Sequence, residues 1–391
     1  MSNQGAGSRS TWEARAKSCI AQGCLTYSKS SRYYVEAQPT HVRSGDGKHL
    51  ITTEGHVIFD TVSGLGANLI SCDNSYSLPT IDEIVTAEEL LRKIKVTGWD
   101  RVKFVKTGSE ADGAAARYMR GKTGRKGIYS CGYNGWHGEY IGALPNCVGC
   151  PPTDVTHFNS HAELIAALEK KPEIAGVIME PVMLDEHCKE NLQQIRAMCT
   201  FQGTLLCYDE VITGFRFPQY TVAQTYGVYP DLMTMGKALG GGYPLGVVIG
   251  PHEILDTEGV FVSGTFSGET SALRAAQKTM IQVTPERLRV FWDMTHDFQT
   301  KLEYITAGRL VVQGYGTRIV FKDHDEGETY ARYMQEVYKR HRILLGPVLF
   351  PKLSWTNHDY SLLITAFESV TKDIDHVVLE GPKPSPVFKR T

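Results

Sequence analysis

No stretch of the chain approaches the roughly 20 consecutive apolar residues that a membrane-spanning helix needs. Its opening, MSNQGAGSRSTWEARAKS, also lacks the apolar core of a signal peptide, so a cytoplasmic protein is expected. Charge of one sign is missing as well. The 41 basic and 43 acidic side chains leave a net charge of −2, so no global basic field points to nucleic acid or to a membrane surface, and small-molecule substrates are the default. Cysteine is sparse, nine in 391 residues and spread along the chain. That odd number argues for reduced thiols over a disulfide framework. One Cys-x-x-Cys occurs, Cys147-Val148-Gly149-Cys150, with no second to complete it. A zinc site would need Cys131, His137 or His157 to converge there; the expectation is loop cysteines and no metal. What the chain does have is 42% apolar residues, enough for one large core or two domains.

The richest stretch is 205–246. An apolar run of strand length, Leu205-Leu206-Cys207-Tyr208, ends on Asp209 and Glu210. A second, Asp231-Leu232-Met233-Thr234-Met235-Gly236, delivers Lys237 into the glycine-rich turn Gly240-Gly241-Gly242. A carboxylate at the carboxyl end of a strand lies on the edge where open α/β sheets bind ligands. A lysine between apolar residues and glycines is expected to be desolvated, which would lower its pKa and make it an amine nucleophile. Amine and acid together are what pyridoxal phosphate chemistry asks of a protein. Taken alone, the two would equally suit a buried structural pair.

The surrounding letters narrow this. Asp209-Glu210-Val211-Ile212-Thr213-Gly214-Phe215-Arg216, Pro230-Asp231-Leu232 and Gly236-Lys237-Ala238-Leu239-Gly240-Gly241-Gly242-Tyr243-Pro244 follow in order. In this the chain resembles the class III (fold type I) pyridoxal-phosphate aminotransferases, with features of the glutamate-semialdehyde aminomutase branch. The resemblance covers about residues 30–375 and is strongest over 100–270.

Upstream, residues 1–10 read as disordered and Thr11–Cys24 as a helical arm; Val42–Leu50 and Val57–Thr61 read as strands around turns. The strand Val102–Val105 turns through Lys106-Thr107-Gly108-Ser109-Glu110 into a helix running to about Arg120. A strand, a glycine–serine turn and a helix start present free N–H groups to a phosphate, although most such turns only cap helices. Ile128-Tyr129-Ser130 is a strand that leaves through Cys131-Gly132-Tyr133-Asn134-Gly135-Trp136-His137-Gly138. Here Asn134 and Gly138 replace the histidine and aspartate of the related motif Y-H-G-W-H-D. The β–α alternation from about 100 to 250 predicts a mostly parallel sheet between helices. Beyond 285, helices are expected at Pro285–Ile305 and Glu328–His341, and strands at Arg309–Val312, Arg318–Lys322 and Ser361–Ile364. The expected organisation is an N-terminal arm and part of a small domain (1–70), a large cofactor-binding domain (71–284), a C-terminal small α+β domain (285–380) and a mobile proline-rich tail (381–391).

The resemblance implies pyridoxal 5′-phosphate as cofactor, a Schiff base on Lys237, and Asp209 holding the pyridinium nitrogen. It further implies Gly108 and Ser109 at the phosphate, with Tyr133 on one face of the ring and Val211 on the other. Thr265, in Ser263-Gly264-Thr265-Phe266-Ser267-Gly268, would reach the phosphate bound by a partner subunit, implying a homodimer with shared active sites. Read without the family, its hydroxyl would as well cap the helix starting near Thr270. Arg32 is the candidate for a substrate carboxylate. The implied reaction moves an amino group between an amine or amino acid and a carbonyl compound; aminomutase, decarboxylase or epimerase chemistry uses the same parts.

Overall fold

The computed structural model describes residues 9–33, 37–46, 48–68, 73–145, 147–184, 188–306 and 308–384. The start of the expected disordered segment (1–8) and the end of the expected mobile tail (385–391) lie outside these residues. Among them no helix is long and apolar enough to cross a membrane. The chain divides into two compact units. One holds the described residues up to 181 together with 188–215 and 219–284, and so includes the N-terminal segment; the other holds 182–184, 216–218 and 285–384.

In the first unit a small antiparallel meander, β1 (Val42–Gly45), β2 (His49–Thr52) and β3 (Val57–Phe59), closes over Val42, Leu50, Tyr76 and Leu78. The main sheet follows: β4 (Arg101–Val105), β5 (Ile128–Cys131), β6 (Val155–Phe158), β7 (Gly176–Met179), β8 (Leu205–Asp209), β9 (Leu232–Met235) and β10 (Gly246–Gly250). Its spatial order is β4-β10-β9-β8-β7-β5-β6. β10 is antiparallel to both its neighbours, and every other pairing is parallel. All strands but β10 therefore run one way, and their carboxyl ends share one edge. Val177, Ile178, Leu206, Tyr208, Met233 and Val248 are fully buried, as strands covered on both faces must be. The helix Gly108–Thr123 starts on a Thr107/Glu110 capping box and buries Ala111, Ala114, Ala115 and Ala116, small enough to let its backbone lie close on the sheet.

The second unit packs the helices Pro285–Thr306, Glu328–His341 and Asn357–Thr371 on a hairpin, β11 (Val311–Tyr315) and β12 (Arg318–Lys322). Phe321, Tyr333 and Phe367 stack within its core. The strand expected at Ser361–Ile364 is instead inside the last helix. Leu362-Leu363-Ile364 is too short an apolar run to show its period, whereas the Thr356/Asp359 capping box and the buried Tyr360, Leu363, Phe367 and Val370 recur at helical spacing. The strand expected at Arg309–Val312 begins at Val311, and the N-terminal helix stops at Cys19, short of the left-handed Gln22 and Gly23.

Candidate active site

The carboxyl edge of the sheet gathers Thr107-Gly108 after β4, Gly132-Tyr133 after β5, Glu180 after β7, Asp209 at the end of β8, and Gly236-Lys237 after β9. Asp209 is buried, and both its oxygens are fixed: Asn134 Nδ2 donates to Oδ2 at 3.0 Å and the Val211 backbone N–H to Oδ1 at 3.0 Å. Burial, and then the nearby Glu180 charge, push its carboxyl up to about 6. A buried carboxylate held so firmly is suited to a cationic N–H partner.

Tyr133 lies on the loop after β5, pinned by its backbone N–H donating to Glu180 Oε1 at 2.6 Å, while its side chain is 39% exposed. Val211 is buried, and a Cβ at Gly108 would come within 2.9 Å of Val211 Cγ1. Only glycine lets the helix start approach so closely. The turn Gly135-Trp136 lies on that same helix start, with the Trp136 N–H donating to Ser109 Oγ at 3.2 Å. This leaves the Ser109 hydroxyl proton free to be given elsewhere. Gly108, Ser109, Tyr133, Asp209 and Val211 are thus brought together, as expected.

Lys237 joins them, close enough for its charge to act on Asp209. Its surroundings correct one expectation: the side chain is exposed, so the residues of this chain do not supply the desolvation that its apolar and glycine neighbours in sequence suggested. Its backbone is unusual instead, at φ 37°, which is uncommon for a residue with a Cβ. Leu239 N–H donates to the Gly236 carbonyl at 2.9 Å and Gly240 N–H to the Lys237 carbonyl at 3.1 Å, holding that turn.

Thr265 is half-buried and lines a cavity of about 560 Å³ with Lys106, Arg117 and His137. It does not cap the following helix; Glu269 does, accepting from Ser271 N–H at 2.7 Å and Ala272 N–H at 3.2 Å. The Thr265 loop is fastened from the N-terminal segment: Thr26 Oγ1 donates to the Gly264 carbonyl at 2.6 Å and Lys29 Nζ to the Thr265 carbonyl at 3.2 Å. Arg32 stands apart, exposed on a cavity of about 100 Å³ with Glu13, Lys17 and His41 that contains none of the residues above. Cys147 and Cys150 hold their Sγ atoms 3.0 Å apart; among the described residues no cluster of three or more His, Cys, Asp or Glu is placed to bind a metal.

Two residues of the site carry no family signature. Asn134, in the sequence merely a departure from histidine, is a direct partner of Asp209. Asp112 is fully buried against Asp209 and Thr234. An acid on the alanine-rich face of a sheet-covering helix was the signal for it.

A family model described as aminotransferase class-III matches residues 71–338. Among curated relatives, a glutamate-1-semialdehyde 2,1-aminomutase of Methanocaldococcus jannaschii is 31% identical over 291 residues, 64% of this chain and 68% of that one. Another, of Halobacterium salinarum, is 32% identical over 282 residues, covering 62% and 63%. The alignments thus span about two thirds of those relatives. Among solved structures, an omega-transaminase from Sphaerobacter thermophilus superimposes with a TM-score of 0.69 at 21% identity, covering 95% of this chain and 99% of that one. An S-selective transaminase from an Arthrobacter species with alanine bound gives 0.69 at 20% identity, covering 90% and 98%. At such identities the likeness is one of fold.

Proposed function

Because the chain belongs to the class-III aminotransferases, we propose that it moves an amino group between an amine or amino acid and a carbonyl compound, with Lys237 as the covalent anchor of its cofactor. That cofactor is pyridoxal 5′-phosphate, whose ring, when bound, withdraws the electrons left at the substrate Cα. The residues present fit it. Gly108 lets the helix start close on Val211, the Ser109 hydroxyl has a proton to give a phosphate oxygen, and Tyr133 brings a partly exposed aromatic ring. The observation that carries the proposal is Asp209: buried, held at both oxygens, at the carboxyl edge of the sheet and within electrostatic reach of the one lysine of the Gly-Lys-Ala turn. In this reading Asp209 keeps the ring nitrogen protonated, Val211 packs on the ring face opposite Tyr133, and the Lys237 amine takes and returns the proton at Cα. Thr265 serves the phosphate held by a second copy, so the working species is a cytoplasmic homodimer with shared active sites. Its hydroxyl is not engaged in capping the helix behind it, which supports that role. Arg32 remains the candidate for a substrate carboxylate.

Borohydride reduction of the cofactor-loaded protein, followed by peptide mass mapping, is expected to find the adduct on Lys237 and to find none in K237A, which should also lose turnover. An adduct on another lysine overturns the assignment. The relatives' name favours a second reading, a shift of the amino group from carbon 2 to carbon 1 within one molecule. Incubation with glutamate-1-semialdehyde and no other carbonyl acceptor separates the two. An isomer that accumulates without released keto product indicates the aminomutase, whereas dependence on a second substrate indicates the aminotransferase.

A further inference from the structure

Asp112 lies four residues after Gly108 on the helix Gly108–Thr123, on the face turned to the sheet, and is 1% exposed. Thr234 Oγ1 donates to its Oδ1 at 2.6 Å. Thr234 is also the register partner of Asp209 across the β8–β9 ladder. The two carboxyls therefore sit over the same rung of the sheet, and their side chains meet.

The groups around this pair can be named element by element. Glu180 follows β7, Cys207 is on β8, Lys237 follows β9, and Tyr140, from the helix Gly138–Ile141, donates its hydroxyl to the Asp112 carbonyl oxygen at 2.7 Å. Lys237 is the single cation among them. Two touching, buried carboxyls with a single cation acting on them cannot both ionise. The donors decide which keeps its proton. Asp209 receives two N–H groups, from Asn134 and Val211, which favour its charged form, whereas Asp112 receives one hydroxyl on one oxygen. Burial first and Asp209 second raise Asp112 well above the usual carboxylate range.

We infer that Asp112 is a positioning residue that stays protonated and donates its proton as a hydrogen bond to Asp209, so that the pair presents a single, oriented negative charge to the cofactor ring nitrogen. This rests on the proposed role of Asp209. Asp112 touches neither cofactor nor substrate; it acts by favouring the ionised form of Asp209.

The test is binding of 4′-deoxypyridoxine 5′-phosphate, which has the ring nitrogen and phosphate but no aldehyde for Lys237. It is titrated into the cofactor-free full chain from pH 5 to pH 8.5, following tryptophan fluorescence. Wild type should show affinity falling through an acid limb near pH 6, and D209N should lack that limb. Ionisation of the ligand phosphate is common to all variants and is removed by comparison with D209N. D112N, a neutral side chain able to donate the same bond, should keep the limb within about 0.3 pH unit. D112A, which cannot donate, should move it up by about one unit, a loss of about fivefold in affinity at pH 6 that approaches about tenfold towards pH 5. A residue that only fills space would leave the limb in place in D112A, and that result overturns the inference. A limb lowered by about a unit in D112N would mean that Asp112 carries charge, and overturns it too. Should D112A fail to fold, D112L, of similar size and equally unable to donate, takes its place. A limb that persists in D209N removes the reading of Asp209 itself, and this inference with it.

Discussion

A Cβ at position 135 would lie 2.4 Å from Ser109 Oγ and 2.7 Å from Ser109 Cα, and the backbone there has φ +93°. Gly135→Ala therefore combines a left-handed conformation that alanine resists, worth about 1–2 kcal/mol, with a collision that pushes the loop off the helix start. The expected outcome is a folded protein of lower melting temperature whose affinity for pyridoxal phosphate falls more than about tenfold. Calorimetric titration checks it, and wild-type affinity would mean that the loop and the phosphate turn are not coupled. At this scale the sequence was legible where a residue type is itself the chemistry. Lys237 and Asp209 stood out because an amine and an acid each ended an apolar run. Asn134 and Asp112 did not, since their importance depends on which helix face meets which strand end, and no local pattern records that.

Between residue and fold stands Glu210, neighbour of Asp209 but turned to a different task. It accepts from the Val222 and Ala223 backbone N–H groups at 2.8 and 3.0 Å and from Thr213 Oγ1 at 2.8 Å, tying the start of the helix Val222–Tyr226 to the end of β8. Complete burial pushes its carboxyl up to about 7, the desolvation outweighing those three donors. A carboxyl whose folded pKa is raised contributes stability fully below its unfolded value, near 4.5, and loses it as pH rises through about 7. The cofactor-free protein should thus lose stability from this group between pH 4.5 and 7, on the order of 1–3 kcal/mol. E210Q, which cannot ionise, should lose correspondingly less. Urea midpoints of both proteins at pH 5 and pH 8 test this; an equal difference between them at the two pH values means that Glu210 does not titrate in that window. Elements with a period and caps were readable in advance: Glu328–His341 lies where its amphipathic pattern put it. Ser361–Ile364 was not, because three consecutive aliphatic residues suit strand and helix alike until burial is known.

For the molecule as a whole, the alternation of strands and helices announced a parallel sheet, but the reversal of β10 and its place between β4 and β9 are tertiary facts with no local signature. If each site draws Thr265 from a second copy, K237A and T265R should be separately inactive yet complement when refolded together. One site of the mixed dimer would carry both lesions and the other neither. About a quarter of wild-type sites should return from an equal mixture, once sedimentation has shown that T265R still dimerises. No activity from a confirmed mixed dimer would show that the site lies within one chain. The place of β4 has another consequence, in time. Its full ladder is with β10 alone, about 140 residues further along the chain. At roughly 5–20 residues per second of synthesis, that strand waits about 7–30 s for its partner. Through that interval the backbone of an apolar strand, Val102 and Phe104 among its residues, has no β10 to pair with, and an unpaired strand is a template for another chain. Lys103 stands between them. In the finished protein it is fully buried, its ammonium donating to the Cys24 carbonyl at 2.8 Å and lying over the Tyr27 ring. Before that its charge interrupts the apolar run of the strand, as residues flanking or breaking aggregation-prone strands do.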